Sequence, residues 1–123
     1  MSEERRIILL PSLPLNIIPY EVVTIVVWKR RMENIQRLVN TNKAYTSKGI
    51  QVLNYIRHAP TNQLISKYFQ FIDKSNESYT FNNKDFIFVI TLKQRTPISG
   101  KDVEVSEEDL LIFEIAITKG SWI

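Results

Sequence analysis

Runs of apolar residues near the start of the chain have the length of β-strands. Arg6–Leu10 is continuously apolar after its first residue, which is typical of a central strand covered on both faces. Tyr20–Trp28 is rich in β-branched and aromatic residues and predicts a second buried strand. Pro11 and Pro14 end the first strand, because proline cannot donate a hydrogen bond to a sheet. Two buried strands joined by a proline-rich loop are therefore predicted.

Two later segments change to helical spacing. Within Lys29–Asn40 the apolar residues recur at helical intervals, with charged residues between them, and the polar stretch 40–47 is turn-like. Pro60–Phe71 predicts a second helix, because proline is tolerated in a first turn, where its missing N–H would be unpaired anyway. Residues 50–56 fit a short strand and a helical turn equally well.

The rest of the chain predicts three strands and one short turn of helix. Tyr79–Phe81 and Phe86–Leu92 flank a plausible four-residue hairpin loop, residues 82–85. Ser106–Asp109 is close to a capping box and predicts the short helical turn. The last strand is Ile112–Thr118, whose apolar runs indicate burial on most of both faces.

These elements predict an α/β fold, α+β-like in character. It has a mixed sheet of five or six strands, two main helices and a short C-terminal helical turn, in one domain spanning residues 1–123. Apolar residues make up 44% of the chain, enough to build a core. Residues 7–28 are too often interrupted by proline, asparagine and glutamate for a membrane span, so no membrane association is expected.

Composition narrows the chemistry. The chain has no cysteine, which excludes disulfides and thiolate chemistry and suits a reducing compartment. With one histidine as well, a zinc site is not expected, and no cofactor is predicted. The net charge of +3 mildly favours polyanionic partners but is not the concentrated basic stripe of duplex-binding proteins. The basic run Lys29–Arg31 opposes the dipole of the helix it is predicted to begin, so an anion could compensate it; a solvated face is the simpler reading.

Two places could carry chemistry. His58 precedes the second helix, where backbone N–H groups attract anions, so it could donate to a phosphate or protonate a leaving alkoxide. Alternatively it simply caps the helix. Lys93, Gln94 and Arg95 follow a long apolar strand, where Arg95 could hold a phosphate through two hydrogen bonds. A solvated strand end is the alternative.

Four short motifs follow one another along the chain. They are Ile56 to Leu64 (Ile-Arg-His-Ala-Pro-Thr-Asn-Gln-Leu), Gln94 to Pro97 with Gly100 after it, Ser106 to Leu110 (Ser-Glu-Glu-Asp-Leu), and Phe113 to Ile115 (Phe-Glu-Ile). In this order, and with similar gaps, they resemble the motifs of a family of small proteins from crenarchaeal viruses. These are the viral ring nucleases that act as type III anti-CRISPRs, and the resemblance spans Arg6 to Thr118.

The resemblance implies a homodimer in the cytoplasm of the host cell that binds cyclic tetra-adenylate between its subunits. It also implies cleavage without a metal, in which a ribose 2′-OH attacks the adjacent phosphate. By the same resemblance, His58 would protonate the departing 5′-oxygen and Arg95 would neutralise charge in the transition state. The ligand contacts would be Ser12, Asn16, Arg57, Thr61, Lys93 and Gln94.

The chain also departs from the family. Prolines 11 and 14 stand where the family carries ligand-contacting Asn and Ser, and Arg57 replaces a glycine. Arg57 could clash with the ligand or add a phosphate contact. The family's Glu two residues before Gly100 is also missing here. The lost Asn and Glu positions favour a second hypothesis, a non-catalytic protein on the same scaffold that sequesters a nucleotide or binds a CRISPR effector protein. A nucleic-acid-binding regulator ranks third, since only the net charge and the run Lys29–Arg31 support it.

Overall fold

The computed structural model describes residues 5–45, 50–93 and 105–120, with the side chains of 42–45 excepted. In this part of the chain six strands and two α-helices form. The strands are β1 (Arg6–Leu10), β2 (Val23–Arg30), β3 (Gln51–Asn54), β4 (Ile72–Asp73), β5 (Phe86–Leu92) and β6 (Leu110–Lys119). The helices are α1 (Met32–Tyr45) and α2 (Ala59–Ser66), and single 3₁₀ turns lie at Leu15–Ile17 and Glu107–Asp109.

All six strands belong to one mixed sheet, with the order β2-β6-β5-β1-β3-β4. The central strand β1 pairs in parallel with β3 and β5, and β3 pairs in parallel with β4. The strand β6 runs antiparallel to both of its neighbours, β2 and β5. The predicted α/β class, mixed sheet and two main helices are confirmed.

The two faces of the sheet are covered differently. Ile7 and Leu9 of β1 share a core with both helices, represented by Ile35 of α1 and Ile65 of α2, all four fully buried. The opposite face, which carries Ile8, is covered by the irregular segments 13–20 and 79–81. Because β1 is buried on both faces, its uninterrupted apolar run was sufficient to identify it.

The region around β2 differs from the prediction. The strand begins at Val23 and continues to Arg30, and it is mostly exposed rather than buried, because it forms an edge of the sheet. The helix α1 begins later than predicted, at Met32, and extends through the polar stretch to Tyr45. Asn40 and Thr41 are exposed, and exposed helix positions need no apolar residue, so these polar residues do not end the helix.

The basic run Lys29–Arg31 therefore lies at the end of a strand rather than at a helix start. Its last residue directly precedes α1, and its backbone N–H donates to Asn34 Oδ1 at 2.7 Å. The Glu107 carboxylate accepts a hydrogen bond from the Met32 backbone N–H at 3.1 Å. Glu107 thus supplies a negative charge at the positive end of α1, which the sequence alone left without a compensating group.

Other boundaries also change. Residues 51–54 form a strand, which settles the choice left open for 50–56. The helix α2 ends at Ser66 instead of continuing to residue 71, and the two-residue β4 follows it. Tyr79–Phe81 is not a strand, so no hairpin forms there; β5 pairs instead with β1 and β6. The capping box is confirmed, since the Ser106 N–H donates to Asp109 Oδ2 at 2.9 Å.

No described helix has the length and apolar character needed to cross a lipid bilayer. The predicted loop after β5 (residues 95–101) and Trp122 lie outside the described residues.

A buried polar cluster joins the starts of β1 and β5. The Arg6 guanidinium donates to both carboxylate oxygens of Asp85, Nε to Oδ1 at 3.0 Å and Nη2 to Oδ2 at 2.7 Å. The Tyr79 hydroxyl donates to the same Oδ2 at 2.6 Å. The Asp85 side chain is only 1% exposed, so its negative charge is balanced within the protein. Tyr79 is thereby held in the cluster instead of pairing in a ladder.

Alkaline unfolding should report on this cluster. Burial, and then the hydrogen bond to Asp85, raise the pKa of Tyr79 well above its ordinary value. Because the unfolded chain would lose this proton first, above pH ~10, stability should be constant below that pH and fall above it. The expected slope is at most about 1.4 kcal/mol per pH unit from this group, measured by urea denaturation between pH 8 and 11. Tyr79→Phe should flatten that slope; an equal slope in the variant would show that other groups cause it.

Candidate functional site

A crevice opens at the carboxyl ends of the parallel strands β1 and β3. After β1 the chain crosses to β2, the strand at one edge of the sheet. After β3 it continues through α2 to β4, the strand at the opposite edge. In open α/β sheets, ligands bind preferentially where neighbouring connections diverge in this way. We refer to this space as the switch-point crevice.

The switch-point crevice has a volume of about 590 Å³ and is lined by two loops and the segment before residue 80. Its lining residues are Leu10, Pro11, Ser12, Pro14, Asn16, Ile17, Tyr55, Ile56, Arg57, His58, Glu77, Ser78 and Tyr79. A smaller hollow of about 280 Å³ adjoins it and extends towards the end of β5. The two share Pro11, Ile56 and His58, so His58 lies where they meet.

His58 has the geometry of an oriented, accessible imidazole. It occupies the residue before α2, and its carbonyl accepts the first helical hydrogen bond, from the Asn62 N–H at 3.1 Å. Its side chain makes no capping bond to the helix backbone; Nδ1 lies 2.7 Å from Thr61 Oγ1 instead. Thr61 is buried, whereas His58 is exposed. Since Nδ1 is engaged, Nε2 is the nitrogen that can serve a ligand.

A buried amide network shapes the loop that carries His58. The Asn54 side chain is fully buried, its Oδ1 accepts from the Ile56 N–H at 3.0 Å, and its Nδ2 donates to Asn62 Oδ1 at 2.7 Å. The Asn62 amide in turn donates to the Ile56 carbonyl at 2.8 Å. Two of these three hydrogen bonds join β3 or its loop to α2, and the third lies within the loop, so the path of residues 54–58 is fixed. Sequence reasoning missed both asparagines.

The charge within the crevice favours an anion. Glu77 is paired with Lys74 at 3.1 Å, so its charge is balanced locally. The Arg57 Nε donates to the Ser75 carbonyl at 2.7 Å, a neutral partner, and the residue is exposed. Arg57 therefore contributes a positive charge that no carboxylate among the described residues offsets through a hydrogen bond. Arg57 thus adds a cation to the lining of the crevice.

The structure brings most of the sequence-based candidates together. Ser12, Asn16, Arg57 and His58 line the crevice, and Thr61 lines the adjoining hollow. Lys93 does not; it lies in a separate groove of about 480 Å³ with Lys29–Arg31. The residue before it, Leu92, is the last residue of β5 and lines the hollow beside His58. The groove and the crevice therefore both lie at the carboxyl end of β5 or of its neighbours.

Two candidates, Gln94 and Arg95, lie outside the described residues. Within the described part of the chain, no group of three or more histidine and carboxylate side chains could hold a metal ion. The polar groups that line this crevice are an imidazole, a guanidinium, hydroxyls, an amide and the carboxylate of Glu77, which is paired with Lys74. The first four kinds of group suit a phosphate ester.

Fold and crevice define a class of small α/β proteins, with a mixed sheet, both helices on one face, and a candidate site at the switch point. Protein B116 of Sulfolobus turreted icosahedral virus has a similar structure, with a TM-score of 0.61 over 90% of this chain and 98% of that one. The two are 17% identical in sequence, so this likeness shows a shared fold. No protein-family model and no curated protein sequence matches the chain.

Proposed function

We propose that this protein is an anti-CRISPR-like protein of an archaeal virus that binds cyclic tetra-adenylate in the switch-point crevice and cleaves it without a metal. The observation that carries the proposal is the His58–Thr61 pair, in which a buried hydroxyl orients an exposed imidazole at the mouth of an electropositive crevice. The fold shared with a Sulfolobus virus protein supports a viral origin and action in the cytoplasm of the host cell.

The proposed reaction is an internal transesterification. A ribose 2′-oxygen loses its proton to solvent and bonds to the adjacent phosphorus, and the bond from phosphorus to the 5′-oxygen breaks. The His58 imidazolium gives its Nε2 proton to that 5′-oxygen, while its Nδ1–H donates to Thr61 Oγ1. The products are a 5′-hydroxyl and a 2′,3′-cyclic phosphate. Arg57, and Arg95 by the resemblance, would offset the phosphate charge.

The size of the ligand leads to a homodimer. A crevice of about 590 Å³ is the usual size for a drug-like ligand, whereas a ring of four nucleotides is considerably larger. We therefore propose that two copies of the chain share one ring, each contributing a crevice and a His58. Binding of the ring should then promote association of the two copies.

A second candidate function, binding without cleavage, is favoured by the loop after β1. Pro11 and Pro14 line the crevice but have no N–H to donate to a phosphate. Ser12 and Asn16 are the side chains of that loop section able to donate hydrogen bonds into the crevice. A ligand shell of this kind could hold the ring loosely, so the protein would sequester the messenger or bind a CRISPR effector protein directly.

Calorimetry combined with product analysis tests both functions. Cyclic tetra-adenylate should bind, and a 2′,3′-cyclic phosphate should accumulate in the presence of EDTA. Arg57→Ala should weaken binding about tenfold or more, since it removes a charged hydrogen-bond donor. Lys67→Ala removes an equal charge from the exposed end of α2, outside the crevice lining, and should have little effect.

The outcomes separate the hypotheses. Binding heat without product over hours at micromolar protein would replace cleavage by sequestration. Absence of heat with cyclic oligoadenylates of every ring size tested would overturn a nucleotide ligand and leave the effector protein as the partner.

A further inference from the structure

A groove at the end of the sheet is lined by four basic side chains, those of Lys29, Arg30, Arg31 and Lys93. Its volume of about 480 Å³ lies in the usual range for a small-molecule site. The rest of its lining comes from the start of β6 and the turn before it: Glu107, Glu108, Leu110, Leu111 and Ile112. None of these residues lines the switch-point crevice. We refer to this second space as the basic groove.

Three of the four cations in the basic groove are available to a ligand. Lys29, Arg31 and Lys93 are exposed, and their side chains form no ion pair or hydrogen bond with another described residue. Arg30 is engaged instead, because its Nε donates to Glu114 Oε1 at 2.8 Å. Like charges that line one groove repel each other unless an anion lies between them. The basic groove therefore favours a ligand with several negative charges.

Two carboxylates near these cations already have hydrogen-bond donors. Glu107 Oε1 accepts from the first backbone N–H of α1 at 3.1 Å, and its Oε2 accepts from the Tyr68 hydroxyl at 3.2 Å. Asp109 lies outside the lining, and its backbone carbonyl accepts from the Lys93 N–H at 2.9 Å. The Asp109 carboxylate accepts two hydrogen bonds from Ser106, at 2.9 and 3.1 Å. Both carboxylates thus stabilise their own turn and helix start.

Glu108 is the lining carboxylate that accepts no hydrogen bond within the described part of the chain. It is exposed, and it opposes four cations together with Glu107, so the lining has a net charge of two positive. A divalent cation does not suit such a lining, because hard cations need several oxygen ligands and little positive charge nearby. The sign of the charge favours an anion.

We propose that the basic groove binds a chain of phosphate groups, as in a nucleoside triphosphate or free polyphosphate, on Lys29, Arg31 and Lys93. The three cations come from the end of β2, the residue before α1 and the residue after β5. Charges supplied from three points suit a row of charged groups better than a single one. The Arg31 guanidinium can hold a phosphate through two hydrogen bonds, and the two lysines act as point charges.

The shape of the charge distribution favours a compact ligand over a nucleic acid. Binding along a nucleic-acid backbone calls for a basic stripe on one face of a protein. Here the available cations line a single groove of small-molecule size, and Glu108 stands among them. A nucleic acid is therefore an outcome that the experiment must be able to reveal.

Calorimetry with tripolyphosphate, ATP and AMP tests the ligand class. Tripolyphosphate and ATP should both bind, whereas AMP, with one phosphate group, should bind about tenfold more weakly or worse. Equal affinities for ATP and tripolyphosphate would assign recognition to the phosphate chain alone, and tighter binding of ATP would assign it to a nucleotide. No heat with tripolyphosphate up to about 1 mM would overturn the proposal. Tighter binding of a DNA oligonucleotide without terminal phosphates would replace it by nucleic-acid binding.

Charge variants locate the site. Arg31→Glu should weaken tripolyphosphate binding about tenfold or more, and it should fold, since a glutamate suits the residue before a helix. Lys67→Glu makes the same charge change at the exposed end of α2, outside the groove lining, and should have little effect. Glu108→Gln removes a repulsive charge and should tighten binding about two- to threefold. Equal weakening by Lys67→Glu would show attraction to the overall charge and overturn the site.

The same variants separate this proposal from the proposed function. Arg31 lines the basic groove and not the switch-point crevice, so Arg31→Glu should bind cyclic tetra-adenylate as the wild type does. A wild type that binds tripolyphosphate but no cyclic oligoadenylate would overturn the proposed function alone. Loss of both ligands in a folded Arg31→Glu would overturn a separate groove.

Discussion

His58→Ala is expected to slow cleavage of cyclic tetra-adenylate about 10²–10⁴-fold while changing the affinity for the ring only a few-fold. This range is the usual contribution of one general acid. The side chain is exposed at the mouth of the crevice, and the path of the loop depends on Asn54 and Asn62, not on the imidazole. Removal of the imidazole should therefore leave the crevice intact. Single-turnover product formation and calorimetry on the same protein separate the two effects.

The hydroxyl that orients His58 provides a graded control. Thr61→Val keeps the buried volume but removes the partner of Nδ1, so the rate should fall while the protein remains folded. Thr61→Ser keeps the hydroxyl and should stay close to wild type. Cleavage by His58→Ala at the wild-type rate would remove His58 from the mechanism.

Local pattern was enough to predict the elements buried on both faces. Arg6–Leu10 and Phe86–Leu92 were located to the residue, because an apolar run of strand length has few alternatives in the middle of a sheet. The capping box at Ser106 was found for the same kind of reason, since its hydrogen bonds join residues three apart. Such features depend on neighbours in sequence.

Features that depend on distant partners could not be predicted. Tyr20–Trp28 has the composition of a buried strand, and only the strand order makes β2 an edge. The spacing around residues 82–85 suits a hairpin, but Phe86–Leu92 pairs with β1 and β6, which lie far away in sequence. Glu107 could not be assigned to the start of α1, because 75 residues separate it from Met32.

The candidate site was predicted in part for the same reason. His58 and Thr61 lie one helical turn apart, so a motif could place them together. Ser12 and Asn16 line the same crevice because β1 and β3 pair in parallel, which brings the loops that follow these two strands to the same end of the sheet. Asn54 and Asn62 carried a weak signal: two asparagines, one ending a strand and one in the helix after it. Their mutual hydrogen bond required the structure.

Asp85→Ala should produce the largest loss of stability, about 3–5 kcal/mol in the free energy of unfolding. Its carboxylate is almost fully buried and accepts three hydrogen bonds, two from Arg6 and one from Tyr79. Removing it leaves a partly buried guanidinium and a buried hydroxyl without their acceptor, and the buried hydroxyl has little access to water as a substitute. Urea denaturation at neutral pH measures the effect, and Lys74→Ala, which breaks an exposed pair, should cost no more than ~1 kcal/mol.

A double variant distinguishes the cost of an orphaned charge from the value of the ion pair itself. Arg6→Met combined with Asp85→Leu removes both charges and refills the space with apolar atoms, so it should be less destabilising than Asp85→Ala alone. Such a result would mean that the cluster chiefly specifies the parallel register between β1 and β5, where Ile7 pairs with Phe86. A double variant as unstable as the sum of both single variants would instead show that the pair contributes its own favourable energy. The register of β1 against β5 also sets the positions of Leu10 and Leu92 beside His58. The cluster lies at the starts of these strands and the site at their carboxyl ends, so loss of the cluster should weaken the site.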